Sequence, residues 1–399
     1  MGESRRAGKT EALAEDGSAS PGSATFVLSG EGGPWEVPGE LAAQRNTQLD
    51  GWRAFAVAGV MWHHWVPSAW RWPFPFEIGL FFFLTFSGFL ITRILLNERA
   101  NGEANAAPWR AKAFKDYAKR RLTRILAPCY AAMVFALVVG APDIRAHALS
   151  YFGHVSNFHM AWMPDWPSGT AHYWTLALQM QFYFFWPLVV FFALRRSLPW
   201  VFAACVVLAP VSRMVIDLGF PQIYHSEAIS LTALDYLGVG ALLAFALRRG
   251  MKPGNVRLTL AACLAFAGYV TLYVCNLLGH ACGGLGYIQQ TLLAIAFAGL
   301  ISRTLAGIGG IPGRTLDHPA VQHIGRLSYG LYLFHAPVPR LLGKILPFLW
   351  FPVFNSGPLL ALRLAVFALA SWGAAWLCWR WLEGPNRLRF PRLAALFGG

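Results

Sequence analysis

The stretch from residue 76 to residue 95, FEIGLFFFLTFSGFLITRIL, decides the fold class of this chain. It is about 20 residues long, and a helix of that length crosses a hydrocarbon core roughly 30 Å thick. Its only charged residues, Glu77 and Arg93, lie near its two ends. The stretch therefore predicts a transmembrane helix.

Similar apolar stretches recur along the rest of the chain. The sequence has 399 residues, of which 56% are hydrophobic and 13% charged, and its mean hydropathy is +0.44. A water-soluble domain could not bury so much apolar surface. We predict an all-α, polytopic integral membrane helical bundle, with about ten transmembrane helices at 50–68, 76–97, 121–141, 172–194, 198–216, 231–247, 257–278, 288–303, 323–343 and 358–380.

The basic residues orient these predicted helices. The net charge is +14, but the arginines and lysines cluster in alternate connections between apolar segments, which favours cytoplasmic loops over nucleic-acid binding. Both termini are then expected in the cytoplasm, with the protein in the inner membrane. The basic connections contain Arg93, Arg99, Arg110, Lys112, Lys115, Lys119, Arg120, Arg121, Arg124, Arg195, Arg196, Arg248, Arg249, Lys252, Arg257, Arg303 and Arg314.

Three other regions lie outside this pattern. A span within residues 142–171 would invert every later loop, so this stretch is predicted to be re-entrant or interfacial, forming either a pocket wall or an amphipathic surface segment. Residues 1–47 are polar and are expected to be a disordered cytoplasmic tail, followed by a transmembrane domain at 48–390 and a short tail at 391–399. The glycine-rich stretch 307–313, GIGGIPG, is interpreted as a flexible connection.

The cysteines do not follow a metal-binding spacing. None of the six forms a C-x-x-C pair, and we predict no metal site and no permanently bound cofactor. Cys275 and Cys282 flank a predicted outer loop, where they could pair in an oxidising compartment.

Arg53 and His64 are the strongest candidates for chemistry. They are 11 residues apart in a predicted helix, so they share one face about 16 Å apart, whereas His63 points about 80° away from it. A ligand with phosphates at Arg53 and a reactive group at His64 could lie along that face. Alternatively, Arg53 reaches the headgroups and the histidines lie at the outer interface.

Polar or small residues in two further segments are secondary candidates. Ser87 and Gly88 allow close approach of either a ligand or another helix. Arg121 and Arg124, at i and i+3, either clamp a phosphate or anchor the helix at the membrane surface.

Two more helices carry polar stripes. Ser328, Tyr332 and His335 share one face and either line a cavity or link two helices, and the histidine favours a cavity. Gln179 and Gln181 are typical of hydrogen bonds between membrane helices.

In order, these segments resemble the membrane acyltransferase 3 family, the O-acyltransferases of bacterial surface polysaccharides. The resemblance covers residues 48–390. It rests on Leu49-Asp50-Gly51-Trp52-Arg53-Ala54 with His64, Phe81-Phe82-Phe83 with Ser87 to Thr92, Arg121-x-x-Arg124, Trp174-Thr175-Leu176 with Gln181-Phe182-Tyr183, and Leu327-Ser328-Tyr329-Gly330-Leu331-Tyr332-Leu333-Phe334-His335.

The resemblance implies an O-acyltransferase that takes an acyl group, usually acetyl, from acyl-CoA in the cytoplasm and transfers it to a carbohydrate hydroxyl. It implies catalytic roles for His64 and Arg53 and CoA binding by Arg53, Arg121 and Arg124.

The same resemblance adds Ser87, Tyr332 and His335 as cavity residues. Gln179 and Met180 stand where many members have an acidic pair, which puts any carboxylate role there in doubt. Some members carry a fused esterase-like domain, and we expect none after the last span of this sequence. A second transfer step would then require a partner protein.

Two other functions fit the same residues. A transporter of an acylated or acidic metabolite would use the same polar stripe, and the glutamine at 179 is compatible with a non-catalytic membrane protein. In each case the expected partners include membrane lipid and exclude nucleic acid.

Overall fold

The structure is a computed structural model that describes residues 46–71, 73, 75–105, 108–280 and 282–383. The predicted tails, 1–47 and 391–399, lie outside these ranges except for Asn46 and Thr47. Within the described residues all regular structure is helical. The α-helices are α1 (Thr47–Trp65), α2 (Ile78–Ala104), α3 (Trp109–Val139), α4 (Pro142–Ala146), α5 (Ala148–Phe152), α6 (Ser156–Ala161), α7 (Tyr173–Phe192), α8 (Leu198–Gly219), α9 (Leu234–Arg248), α10 (Val256–Leu277), α11 (Gln289–Leu305), α12 (Gly310–Asp317), α13 (Pro319–Phe334), α14 (Pro337–Ile345) and α15 (Gly357–Cys378).

Eight helical segments in the described residues are long and apolar enough to cross a membrane. They comprise α2, α3, α7, α8, α10 and the segments 230–248, 283–305 and 357–383, which contain α9, α11 and α15. This confirms the polytopic helical bundle. The predicted spans at 50–68 and 323–343 are not among the eight, so the count of ten stays a prediction.

The predicted span at 323–343 is two helices rather than one. Helix α13 ends at Phe334 and α14 begins at Pro337. Proline has no amide hydrogen to donate to the carbonyl four residues earlier, so Pro337 interrupts the backbone hydrogen-bond ladder. The break places His335 at the end of α13.

The segment between α3 and α7 consists of the short helices α4, α5 and α6, each too short to span a bilayer. It is held to the bundle by hydrogen bonds. The Asn157 side-chain amide donates to the Ala228 carbonyl oxygen at 3.0 Å, and the Gln181 amide donates to Asn157 Oδ1 at 2.9 Å. This agrees with a segment that does not cross the membrane.

Consecutive long helices run in opposite directions, so alternate connections lie at the same end of the bundle. Arg99 at the end of α2 donates to the Val190 carbonyl at the end of α7, at 2.6 Å. Arg248 at the end of α9 donates to Asn97, at 2.5 Å. We call the end that carries these basic connections the basic end, and the other the opposite end.

Glycines bring neighbouring helices into close contact. A Cβ atom on Gly88 of α2 would collide with the Leu237 carbonyl oxygen of α9, and one on Gly240 would collide with the Thr85 carbonyl oxygen. The two helices therefore approach each other through a pair of glycines, which larger residues would force apart.

A buried ion pair joins α8 to α9. Arg213 Nη2 lies 2.5 Å from Asp235 Oδ2, and the same guanidinium donates to the Thr232 and Tyr287 carbonyls. The hydroxyl of Thr291 donates to the Asp235 carboxylate at 2.6 Å. Both terminal nitrogens of the Arg213 guanidinium and the Asp235 carboxylate thus have partners within the bundle, whereas Arg213 Nε has none among the described residues.

Two minor predictions have clear outcomes. Part of the glycine-rich stretch 307–313 is helical, because α12 begins at Gly310. Its interpretation as a flexible connection is wrong for that part: α12 packs so closely on α1 that a Cβ atom on Gly51 would lie 2.6 Å from the Leu316 carbonyl oxygen. Cys275 and Cys282 are both free thiols, as are the other four cysteines.

Candidate active site

A cavity of about 490 Å³ lies between α1, α2, α3, α7 and α13. Residues predicted from the sequence line it, among them Arg53, Ser87, Arg121, Arg124 and Tyr332. They come from four helices that are far apart in the chain. The remaining lining residues are Leu80, Phe83, Phe86, Leu90, Ile125, Leu176, Gln179, Tyr183, Arg326, Ser328, Tyr329, Trp379 and Glu383.

Positive charge dominates the part of the cavity nearest the basic end. Arg53 is paired with Asp50 one helical turn away, at 2.8 Å, which fixes the guanidinium on this face of α1. The Arg121 guanidinium lies over the Tyr183 ring, 4.8 Å from its centroid. Arg124 and Arg326 add two further guanidinium groups to the lining.

The carboxylate of Glu383 also lines the cavity, within electrostatic range of both Arg124 and Arg53. It is the only acidic side chain among the lining residues described, against four arginines. The cavity therefore keeps an excess of positive charge, which suits a ligand with several negative charges.

A chain of polar groups connects α2 to α7 across the cavity wall. Ser87 Oγ lies 3.1 Å from the Tyr183 hydroxyl, which donates to Gln179 Oε1 at 3.3 Å. The amide oxygen of Gln179 thus accepts a hydrogen bond at the cavity wall. Gln181 instead faces away and bonds to Asn157.

The deeper part of the cavity is mostly apolar, with Leu80, Phe83 and Leu176 in its wall. Ser328 is fully buried there, and its Oγ has no hydrogen-bond partner among the described residues. Tyr332 donates its hydroxyl hydrogen either to Thr175 Oγ1 at 2.6 Å or to the His172 carbonyl at 3.0 Å. The predicted polar stripe on α13 therefore faces the cavity at Ser328 and Tyr332.

His335 and His64 are not among the cavity-lining residues. His335 is fully buried, with its ring centroid 5.5 Å from that of Tyr332 and 4.7 Å from that of His172. The ring of His64 is a third neighbour, with its centroid 4.9 Å from that of His335. Tyr332 and His335 therefore form a wall between the cavity and His64, which is itself exposed.

His63 points in a different direction, as the helical spacing predicts. Its Nε2 lies 2.7 Å from a carboxylate oxygen of Glu77 and 3.3 Å from Arg71. The hydrogen bond from His63 lowers the pKa of the Glu77 carboxyl, which lies just before α2. His63 is thus tied to the loop, and His64 is the histidine that faces the bundle.

Three residues of this region were not predicted from the sequence: Arg326, Glu383 and His172. None of the three belongs to a motif that the sequence sets apart. Each is brought to the site by a helix whose position depends on the whole bundle.

Comparison with known proteins shows the family of this chain. Residues 46–380 match the acyltransferase domain that defines the acyltransferase 3 family. The chain belongs to this family. The matched range includes every residue predicted for the site. It also includes all the residues that line the cavity except Glu383, which lies just beyond residue 380.

Its curated relatives are O-acetyltransferases. The chain is 28% identical to the putative peptidoglycan O-acetyltransferase YrhL of Bacillus subtilis, over 73% of this chain and 48% of the relative. It is 27% identical to the peptidoglycan O-acetyltransferase OatA of Listeria monocytogenes, over 85% of this chain and 55% of the relative. The chain thus spans about half the length of these relatives. No solved structure matches the chain.

Proposed function

We propose that this acyltransferase 3 family member is a multi-pass inner-membrane enzyme that transfers an acetyl group from acetyl-CoA to a hydroxyl of a cell-surface carbohydrate. The proposal also takes the basic end as cytoplasmic, with both termini on that side. The observation that carries it is the convergence of Arg53, Ser87, Arg121, Arg124 and Tyr332 on one cavity.

The cavity suits the chemistry of an acyl-CoA. The nucleotide part of CoA carries phosphate groups, and guanidinium groups bind phosphate oxygens through paired hydrogen bonds. The four arginines lie near the basic end, where a donor from the cytoplasm would enter. Beyond them, Leu80, Phe83 and Leu176 provide an apolar passage for the less polar acyl-bearing arm.

His64 suits the acceptor side of the reaction. It is exposed, and it lies at the part of α1 nearest the opposite end. A neutral imidazole at this position either removes the proton of the acceptor hydroxyl or carries the acetyl group transiently. In both cases the thioester C–S bond breaks, an ester C–O bond forms, and the hydroxyl proton ends on the CoA thiolate.

The acetyl group has to pass the wall formed by Tyr332 and His335 to reach an acceptor at His64. It lies where α13 ends and α14 begins, so the backbone at this point is not part of a continuous helix. Trp65, next to His64, donates its indole N–H to the His335 carbonyl at 2.7 Å. A change in backbone conformation at the helix break would therefore move Trp65 and, with it, the adjacent His64.

The proposed acceptor is taken from the names of the relatives. Two of them are named as peptidoglycan O-acetyltransferases, and we extend that acceptor class, a cell-wall glycan, to this chain. A glycan outside the cytoplasm would reach His64 from the opposite end of the bundle.

The test is acetyl transfer by the purified protein in nanodiscs, with labelled acetyl-CoA and soluble peptidoglycan fragments. Base-labile label on the glycan measures the product. We expect His64→Ala to lower the rate by about 100-fold or more, as for other general bases. Arg53→Ala should mainly weaken donor binding.

His63→Ala is the matched control, since His63 faces Glu77 rather than the bundle. It should keep most of the activity. Full activity in both the His64 and Arg53 variants, with normal insertion, would contradict the proposal. So would an absolute requirement for a sealed vesicle and a gradient, which is the property of a transporter.

A further inference from the structure

A second group of polar side chains lies outside the cavity, in the segment between α3 and α7. The carboxylate of Asp143 and the imidazoles of His147 and His159 converge there. Asp143 Oδ1 is 3.1 Å from His147 Nδ1 and 3.3 Å from His159 Nε2. All three potential ligand atoms lie within 4.8 Å of one another.

These separations fit the coordination sphere of a small cation. With Zn–N and Zn–O bonds of about 2.0–2.1 Å and tetrahedral angles, ligand atoms are about 3.3 Å apart. The centroids of the two imidazole rings are 3.9 Å apart, and each ring has a nitrogen close to the same oxygen, Asp143 Oδ1. Two imidazoles and one carboxylate are a ligand set that favours zinc and neighbouring transition metals.

The carboxylate is held in place by a buried group behind it. The hydroxyl of Tyr151, a fully buried residue, donates to Asp143 Oδ2, leaving Oδ1 turned towards the histidines. Such outer hydrogen bonds commonly orient metal ligands. Asp143 itself is only 8% exposed, so its orientation is fixed by these contacts.

The site is open on the side of the histidines. The His147 side chain is 45% exposed and that of His159 is 27% exposed, which gives an ion a route from the solvent. Three protein ligands leave one tetrahedral position for water or another oxygen donor.

We propose that Asp143, His147 and His159 bind one divalent transition metal ion, with Zn²⁺ as the best fit. The ion joins the α4–α5 junction to α6 and fixes the segment that covers the opposite end of the bundle. This site is independent of the acetyl-transfer cavity. One contact towards the cavity region runs through Tyr151, whose ring centroid is 5.9 Å from that of Tyr173, the neighbour of His172.

The test is Co²⁺ binding to the full chain in detergent, purified without a polyhistidine tag and stripped with a chelator. Tetrahedral Co²⁺ gives visible absorption bands that report binding without any assay of activity. We expect saturation at one equivalent and displacement by Zn²⁺. Removing either imidazole, in His147→Ala or His159→Ala, should abolish the bands.

Two variants keep the test decisive if those proteins fold poorly. His159→Cys retains a ligand and should bind Co²⁺ with a new sulfur charge-transfer band. Tyr151→Phe removes the bond behind Asp143 and should weaken affinity by about 10–100-fold. His280→Ala, an exposed histidine outside the cluster, is the control and should bind as the wild type does.

Three results would overturn the proposal. The first is the absence of saturable binding by the wild-type protein. The second is equal binding by the wild type and both alanine variants, which would mean an adventitious ion elsewhere. The third is a His159→Cys protein whose Co²⁺ spectrum lacks a sulfur band.

Discussion

Three neighbouring arginines on α3 have different surroundings. Arg120 is 59% exposed and pairs with Glu98 at 2.8 Å outside the cavity. Arg121 and Arg124 line the cavity. The sequence left two interpretations of Arg121 and Arg124, surface anchoring and phosphate binding. Their place in the cavity lining makes phosphate binding available to both.

This difference predicts distinct effects of alanine substitutions. Arg121→Ala and Arg124→Ala should each weaken acetyl-CoA binding by about tenfold or more, because a hydrogen bond to a charged group contributes about 1.5–3 kcal/mol. Arg120→Ala should bind as the wild type does. Calorimetric titration in nanodiscs measures all three, and equal losses in the three variants would contradict the assignment.

Single residues show where the sequence was sufficient and where it was not. Helical spacing separated His64 from His63 correctly, because both lie within one regular helix. Arg326 was missed because it lies two residues before Ser328, about 200° round an ideal helix, so its long side chain reaches the cavity from another face. Glu383 was missed because nothing local indicates that the chain end returns to α1.

Within α2, two adjacent small residues serve different purposes. Ser87 faces the cavity and contacts Tyr183, whereas Gly88 contacts the backbone of α9. The sequence predicted that either a ligand or another helix approaches closely here. In the structure Ser87 lies at the cavity, where a ligand would bind, and Gly88 lies against the neighbouring helix.

Substitutions at these two positions should separate function from folding. Gly88→Val should lower the melting temperature in detergent, because added methyl groups in a tight contact typically cost about 1–3 kcal/mol. Ser87→Ala should leave the melting temperature nearly unchanged and reduce acetyl transfer. The assignment is wrong if the two variants lose the same stability, or if Ser87→Ala keeps the full transfer rate.

The break between α13 and α14 shows what hydropathy could not reveal. The stretch 323–343 is apolar enough to be taken for one span, and Pro337 and Pro339 are the local signs of interruption. A proline within an apolar stretch is also compatible with a kinked helix. The choice depends on tertiary contacts such as the hydrogen bond from Trp65 to His335.

For the whole molecule, charge patterning predicted which connections share an end. The contacts of Arg99 with Val190 and of Arg248 with Asn97 agree with that grouping. The separation of His64 from the cavity could not be predicted, because it arises from α13, which places Tyr332 and His335 beside α1. The sequence suggested one elongated ligand along α1, whereas the structure has a cavity and an exposed histidine on either side of a wall.

The central claim is therefore that donor and acceptor meet from opposite ends of the bundle. The most direct test traps peptidoglycan fragments inside bacterial membrane vesicles and adds labelled acetyl-CoA outside. Inside-out vesicles, with the basic end facing out, should acetylate the trapped glycan, and right-side-out vesicles should do so only after permeabilisation. Equal labelling of the trapped glycan by both intact preparations, or labelling only when donor and acceptor share one side, would contradict the account.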